Sequence, residues 1–326
     1  MEENADDLQT SFTEFCKNIL KEMSLRLDGD EMTIAESLYT DKCAKLVDDI
    51  GKKKNVSDRD ILVSECLQGI AQFVLDLTYL EECKLVNEEF LDEASPYTRI
   101  LYLIGTLSSI EQLAQKTVKE KQPIEVLGPE VVECIHWRNG ALMYMYCHTL
   151  NSESEAAFPA HYQQCLEKGI RSLKSMLCSQ CSPAWLTEQS TYVAEKELDG
   201  EEDDHSSFLY AQGILSSTHL LALMYCGEMC YWFTKANFED IKKGEGHATP
   251  DLVRGDTTAR DTCIDIAGDT EHFDKDNCDT INAPQLGQSC LEVYVRAATK
   301  QVFAGGWQAS RAEEILEYFK TLNSSS

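Results

Sequence analysis

Basic residues are scarce in this chain. Lys and Arg number 29 against 56 Asp and Glu, which leaves a formal charge of −27 over 326 residues. Gripping phosphates takes clustered cations, and the only short basic run is Lys52-Lys53-Lys54. The composition therefore argues against a nucleic-acid partner, and the same acidity opposes direct docking on anionic lipid. A basic patch on a partner protein remains compatible with it. Catalytic signatures are missing too: there is no Gly-rich phosphate loop, no His-Glu-x-x-His and no Gly-x-Ser-x-Gly. The opening residues, Met1 to Asp7, are acidic and hold no apolar signal core. The expectation is a cytosolic chain, neither an enzyme nor a cofactor carrier.

What is present is mostly helix. Apolar residues recur at helical spacing over 5–27, with Leu8, Phe12, Ile19 and Met23 on one face. Thr33 and Glu36 suit a capping box for a helix running to Ile50. Ser57 and Asp60 open a third, with Leu62, Cys66, Ile70, Phe73 and Leu77 on one side. Ser95-Pro96 and Gly128-Pro129 place proline at a first helical position, starting helices to about Lys119 and Leu150. Further helices are predicted over 156–178, from Ser206 or Ser207 to Ala236, from Asn282 and Pro284 to Val302, and, after a capping box of Ser310 with Glu313, to Leu322. The fold class is all-α, one helical domain over 1–326 built as a multi-helix bundle or stacked helical hairpins. Residues 181–205 read as a loop. Residues 242–280, rich in Gly, Asp and Thr, read as a long acidic disordered insertion that cannot bury enough surface to offset its ordering entropy. Gly213 to Phe233 has the length of a membrane span but contains Ser216, Thr218, His219 and Glu228, and reads as a buried core helix.

Fourteen Cys sit mainly inside apolar helical stretches and are expected to be reduced core residues. Cys178 and Cys181 have zinc-ligand spacing, and His161 with Cys165 could complete four ligands. The competing reading is a helix end with incidental thiols. Asp274, Asp276, Asn277 and Asp279 resemble a calcium loop but lack the glycine at position six and the closing Glu. Cys226 and Cys230 share a helix face beside Gly227, which suits a closely packed seam better than a soft-metal site. His136, His148 and His219 read as core or near-core residues rather than bases.

Two stretches stand apart, Trp137 to His148 and His219 to Trp232. Both are dense in aromatics, Met and Cys, and each carries one strongly ionised side chain, Arg138 and Glu228 respectively. An unpaired buried charge is costly. Each of these two therefore points to solvent at a helix edge, pairs with the other, or meets a partner. Trp137, Arg138, Glu228 and Trp232 are the candidate interface residues. Gly140, Ala141, Ala222 and Gly227 would let the two helices pack closely against each other at the centre of the fold.

Together with Asp76-Leu77-Thr78-Tyr79-Leu80-Glu81-Glu82-Cys83-Lys84-Leu85-Val86, these blocks resemble an animal family, the Rab-seven-interacting subunits of the Mon–Ccz exchange-factor complex. The resemblance covers about two-thirds of the chain. It implies a non-enzymatic adaptor in the cytosol, recruited to late endosomes or damaged mitochondria, and no cofactor. It implies two partners, the Mon–Ccz heterodimer and the GDP-bound late-endosomal Rab GTPase, whose stability and delivery in mitophagy and autophagy such proteins support. It carries no residue-level binding site. A purely structural subunit, or a metal-binding protein using Cys178 and Cys181, is the alternative.

Overall fold

The computed structural model describes residues 5–50, 52, 56–88, 90, 96–152, 158–180, 213–244, 281–299 and 306–324. Among these it contains eleven α-helices and no strand, as the periodicity predicts. The predicted loop over 181–205, the segment after Gly244 in the predicted insertion, and the calcium-like stretch at 274–279 lie outside the described residues.

The N-terminal helices are α1 (Ala5–Met23), α2 (Gly29–Tyr39) and α3 (Lys45–Ile50), the last two joined through one π turn at Thr40–Ala44. The cap of α2 lies earlier than the expected Thr33. Asp28 accepts from the Asp30 and Glu31 backbone N–H groups, and Glu31 accepts the Asp28 N–H in return. Thr33 lies inside the helix and spends its hydroxyl on the Gly29 carbonyl. Next come α4 (Val56–Asn87), α5 (Pro96–Thr117) and a five-residue helix, α6 (Pro123–Leu127), that the sequence reading missed. Ser64 and Gln68 of α4 tie α6 down by donating to the Val126 carbonyl at 2.9 and 3.1 Å.

The remaining helices are α7 (Pro129–Ser152), α8 (Tyr162–Cys178), α9 (Ser217–Gly244), α10 (Ala283–Thr299) and α11 (Ser310–Ser324). Three starts differ from expectation. Phe158 to His161 precede α8 rather than belonging to it. Gly213 has φ 70 and residues 213–216 are not helical, so α9 begins at Ser217. Ser310 is the first residue of its helix, not the residue before it. At α10 the expectation holds: Asn282 accepts the Gln285 N–H at 3.4 Å.

Side-chain pairs fix the arrangement. Helices α4, α7 and α9 run parallel and side by side. Arg138 of α7 reaches Leu75, Thr78 and Glu82 of α4, and Trp137 and Tyr144 of α7 stack on Tyr225 and Trp232 of α9. Each has an antiparallel companion, α5, α8 and α10 in turn. Arg99 of α5 pairs back onto Glu81 of α4, and Gly287 of α10 packs on Cys230 while Leu291 packs on Gly227. The result is the stacked-hairpin version of the predicted all-α class. Two apolar clusters run through it. One joins α1, α2, α3, α6, α4 as far as Leu77 and the second half of α5, and the other joins α7 to α11; α4, α5 and α7 contribute to both.

The one described helical stretch long and apolar enough to cross a membrane is Asp60–Asn87 in α4. Its Leu67, Ile70, Phe73, Val74 and Leu77 are buried against neighbouring helices. The stretch singled out from sequence, 213–233, carries the core residues Leu220, Leu223, Cys226, Met229 and Cys230.

Candidate interaction site

Three charges within four residues near the end of α4 explain the density of its motif. Glu81, Glu82 and Lys84 each clamp a different element. Glu81 takes the Arg99 Nε of α5 at 2.8 Å. Lys84 reaches Glu31 of α2 at 2.5 Å and the Arg26 carbonyl at 3.2 Å. Glu82 takes Arg138 of α7, whose Nε donates at 2.8 Å and whose Nη2 lies 2.6 Å from the same oxygen. The rest of the guanidinium is satisfied: Nη1 donates to the Leu75 carbonyl at 2.6 Å and Nη2 to the Thr78 hydroxyl at 2.9 Å. Arg138 is only 9% exposed, so its pairing relieves what would otherwise be a large desolvation penalty. Burial pushes the Glu82 carboxyl up from its usual value, and Arg138 pulls it back.

Arg138 and Glu228 therefore do not pair with each other, and neither points to solvent. Glu228 is 7% exposed and accepts the Tyr144 hydroxyl at 2.5 Å and the Arg311 Nε at 3.3 Å. It ties α9 to α7 and to α11. Burial, with Glu228 beside it, drives the Tyr144 hydroxyl well above its ordinary range.

Between α7 and α9 runs an aromatic ladder. Trp137 stacks on Tyr225 with centroids 5.7 Å apart, Tyr225 on Tyr144 at 3.6 Å, and Tyr144 on Trp232 at 5.6 Å. The Trp137–Tyr225 and Tyr144–Trp232 pairs have the spacing of offset stacks, which add to the energy of burial itself, while Tyr225 and Tyr144 lie nearly face to face. Trp232 is buried, and Trp137 keeps an exposed edge. The two helices thus meet through large rings rather than through glycine. The glycines face third helices: a Cβ on Gly140 would strike Leu173 of α8 at 2.5 Å, and one on Gly227 would strike Leu291 of α10. Close approach at these positions was legible, but the partner helices were not.

The histidines divide. His219 is buried, shares a 2.9 Å hydrogen bond with Ser216 through Nδ1, and lies 3.9 Å from Glu133 through Nε2. His136 sits 3.6 Å from Glu111, whose carboxyl burial pushes up to about 7. His148, expected near the core, is exposed and caps the ladder against Trp232.

No disulfide joins the described cysteines, and most of them are buried. Cys147 and Cys165 meet between α7 and α8, and Cys226 and Cys230 meet Cys290 beside Gly227. The proposed zinc set fails on geometry. Cys165 and Cys178 lie thirteen residues apart on one helix, about 20 Å along its axis. His161 is further off still, bonded to the Tyr146 hydroxyl at 2.8 Å and stacked on Tyr97. Cys181 lies outside the described residues. No group of three His, Cys, Asp or Glu placed to hold a metal occurs among the described residues.

Known proteins of the same pattern exist. Residues 39–320 match the family described as RAB7A-interacting MON1-CCZ1 complex subunit 1. A relative of that description from Danio rerio is 35% identical over 254 residues, 77% of this chain and 76% of the relative. Those from Mus musculus and Homo sapiens are each 32% identical, over 90% of this chain and 88% of theirs. No solved structure matches. The match takes in the ion-pair hub of α4, the Arg138 helix, the α7–α9 ladder and most of α11, and the chain belongs to the RAB7A-interacting MON1-CCZ1 complex subunit 1 family.

Proposed function

We propose that this chain is a non-enzymatic helical adaptor that joins a Mon–Ccz heterodimer and binds a late-endosomal Rab GTPase in its GDP-bound form. In this reading it works from the cytosol, is recruited to late endosomes or damaged mitochondria, and supports the stability and delivery of the Rab in mitophagy and autophagy. The observation that carries it is the family match over residues 39–320, whose description names both partners. The architecture agrees with such a role. The buried charged side chains Glu81, Glu82, Arg138 and Glu228 are spent on interhelical clamps rather than gathered into a reactive cluster. A stack of helical hairpins also offers extended surface for protein partners. The test is size-exclusion chromatography of the purified full chain with purified Mon–Ccz heterodimer. Co-elution at a fixed ratio is expected. Separate elution at micromolar concentrations refutes the subunit reading.

A further inference from the structure

We propose that Cys147 of α7 and Cys165 of α8 are a redox-active dithiol, oxidised by a hydroperoxide to a disulfide that staples the two helices and reopened by a dithiol reductant. The adaptor reading is not needed for this, and its failure would leave the dithiol in place.

The register of the α7–α8 pair brings the two sulfurs together. The helices run antiparallel at very close range. A Cβ on Gly169 would lie 3.0 Å from the Met143 Cβ, and one on Gly140 would strike Leu173. Further along the same register, Asn151 Nδ2 donates to the Tyr162 hydroxyl at 2.6 Å. Cys147 and Cys165 lie between, one turn from Met143 and Gly169, and their thiols share a hydrogen bond. A disulfide needs Cβ atoms roughly 3.5–4.5 Å apart, and helices packed this closely supply that with little movement of either backbone.

Cys165 is the sulfur set up to react first. It accepts the Cys147 S–H, and the Tyr97 hydroxyl, which also donates to Gln164 at 3.2 Å, lies in hydrogen-bond range of it. Lys168 stands exposed one turn further on. The Cys147 hydrogen bond, helped by Lys168 and Tyr97 and opposed by burial, holds the Cys165 thiol below its ordinary value. The same contact holds Cys147 well above its own. The thiolate is the nucleophile in such chemistry. Both sulfurs are fully buried, but the cover over Cys165 is one ring thick. It is Tyr97, half-buried itself and stacked on half-buried His161 at 3.8 Å. Tyr97 is the second residue of α5 and His161 precedes α8, and helix ends open more readily than helix centres. Cys226, Cys230 and Cys290 lie deeper, among the packed side chains of α9, α10 and α11 around Leu291 and Phe319.

The steps balance. The Cys165 thiolate attacks the peroxide O–O bond and keeps one oxygen as a sulfenic acid. The other oxygen takes a proton and leaves as an alcohol, or as water from hydrogen peroxide. The Cys147 sulfur then attacks the sulfenic sulfur, and the hydroxide leaves with the Cys147 proton as water. Two electrons pass from the thiols to the peroxide.

Peptide mapping of the full chain tests this directly. No Lys or Arg separates Asn139 from Lys168, so trypsin releases both cysteines, and no others, in one peptide. The folded protein is treated with graded hydrogen peroxide, quenched, denatured, alkylated and digested. The 139–168 peptide should lose two hydrogens and both alkylation sites, and regain them with dithiothreitol. It should do so at a peroxide dose about tenfold or more below that needed to oxidise Cys226, Cys230 and Cys290. A Cys147→Ser variant with an unchanged melting temperature should instead accumulate a sulfenic acid on Cys165, trapped by dimedone. If that variant misfolds, the wild-type map decides alone. The proposal is overturned if the peptide keeps both thiols at doses that oxidise the deeper three. It is equally overturned if Cys165 joins a different cysteine, or if dimedone labels other residues of Cys147→Ser and not Cys165.

Discussion

Replacing Arg138 with Met is the sharpest test of the ion-pair hub. Methionine keeps the apolar stem and removes the guanidinium. The Thr78 hydroxyl still donates to the Val74 carbonyl at 2.7 Å, so it is not orphaned. Glu82 is the group left behind, with its side chain only 12% exposed. Stranding one charge of a buried pair costs about 3–5 kcal/mol, so Arg138→Met should lose about that much stability in urea unfolding at pH 8. The loss should depend on pH. Burial already raises the Glu82 carboxyl above its unfolded value, and without Arg138 it rises further. A group with a raised folded pKa holds its proton more tightly when folded, so its penalty grows as pH rises through that value. The variant should therefore lose less at pH 5 than at pH 8. Adding Glu82→Leu should restore much of the lost stability, because no buried charge then remains. A loss below about 1 kcal/mol at pH 8, or a double variant less stable than the single one, would refute the clamp.

Three other outcomes follow from the packing and electrostatics. Gly227→Leu should cost about 1–3 kcal/mol in chemical unfolding, since its side chain would drive into Leu291. Gly105→Ala should do the reverse: its Cβ meets nothing within 4 Å in the middle of α5, and removing a mid-helix glycine gains about 0.5–1 kcal/mol. Glu111→Gln should raise the melting temperature at pH 8 and leave it unchanged near pH 4. The ionised form is the one penalised, and its penalty develops as pH rises from 4.5 to about 7; equal effects at both pH values would contradict this.

The long periodic helices were legible because each has an apolar face that only burial can satisfy. Proline and capping residues placed the starts of α5, α7 and α10 correctly. Thr33 misled because Asp28 with Glu31 fits the same capping pattern five residues earlier, and pattern alone cannot choose between them. The start of α9 lies later than expected because Gly213 takes a positive φ and residues 214–216 are not helical, which a run of helix-compatible residues does not reveal. Burial of Arg138 and Glu228 was a real alternative in the sequence, but their partners were not readable. Glu82 lies 56 residues before Arg138, and Arg311 lies 83 residues after Glu228. Only the register of stacked hairpins selects these partners over the pairing of the two with each other. Cys165 and Cys178 are held about 20 Å apart by the single helix that carries both, a separation already implicit in the helix predicted over 156–178.

The central claim is that this chain engages a Rab through its GDP-bound form as part of a Mon–Ccz assembly. The direct measurement is the dissociation constant for GDP-loaded and for GTP-loaded late-endosomal Rab, each with and without the heterodimer present. The account predicts tighter binding of the GDP form by about tenfold or more, a coupling of about 1.4 kcal/mol. Equal affinity for the two nucleotide states, or no Rab binding under either condition, would contradict it.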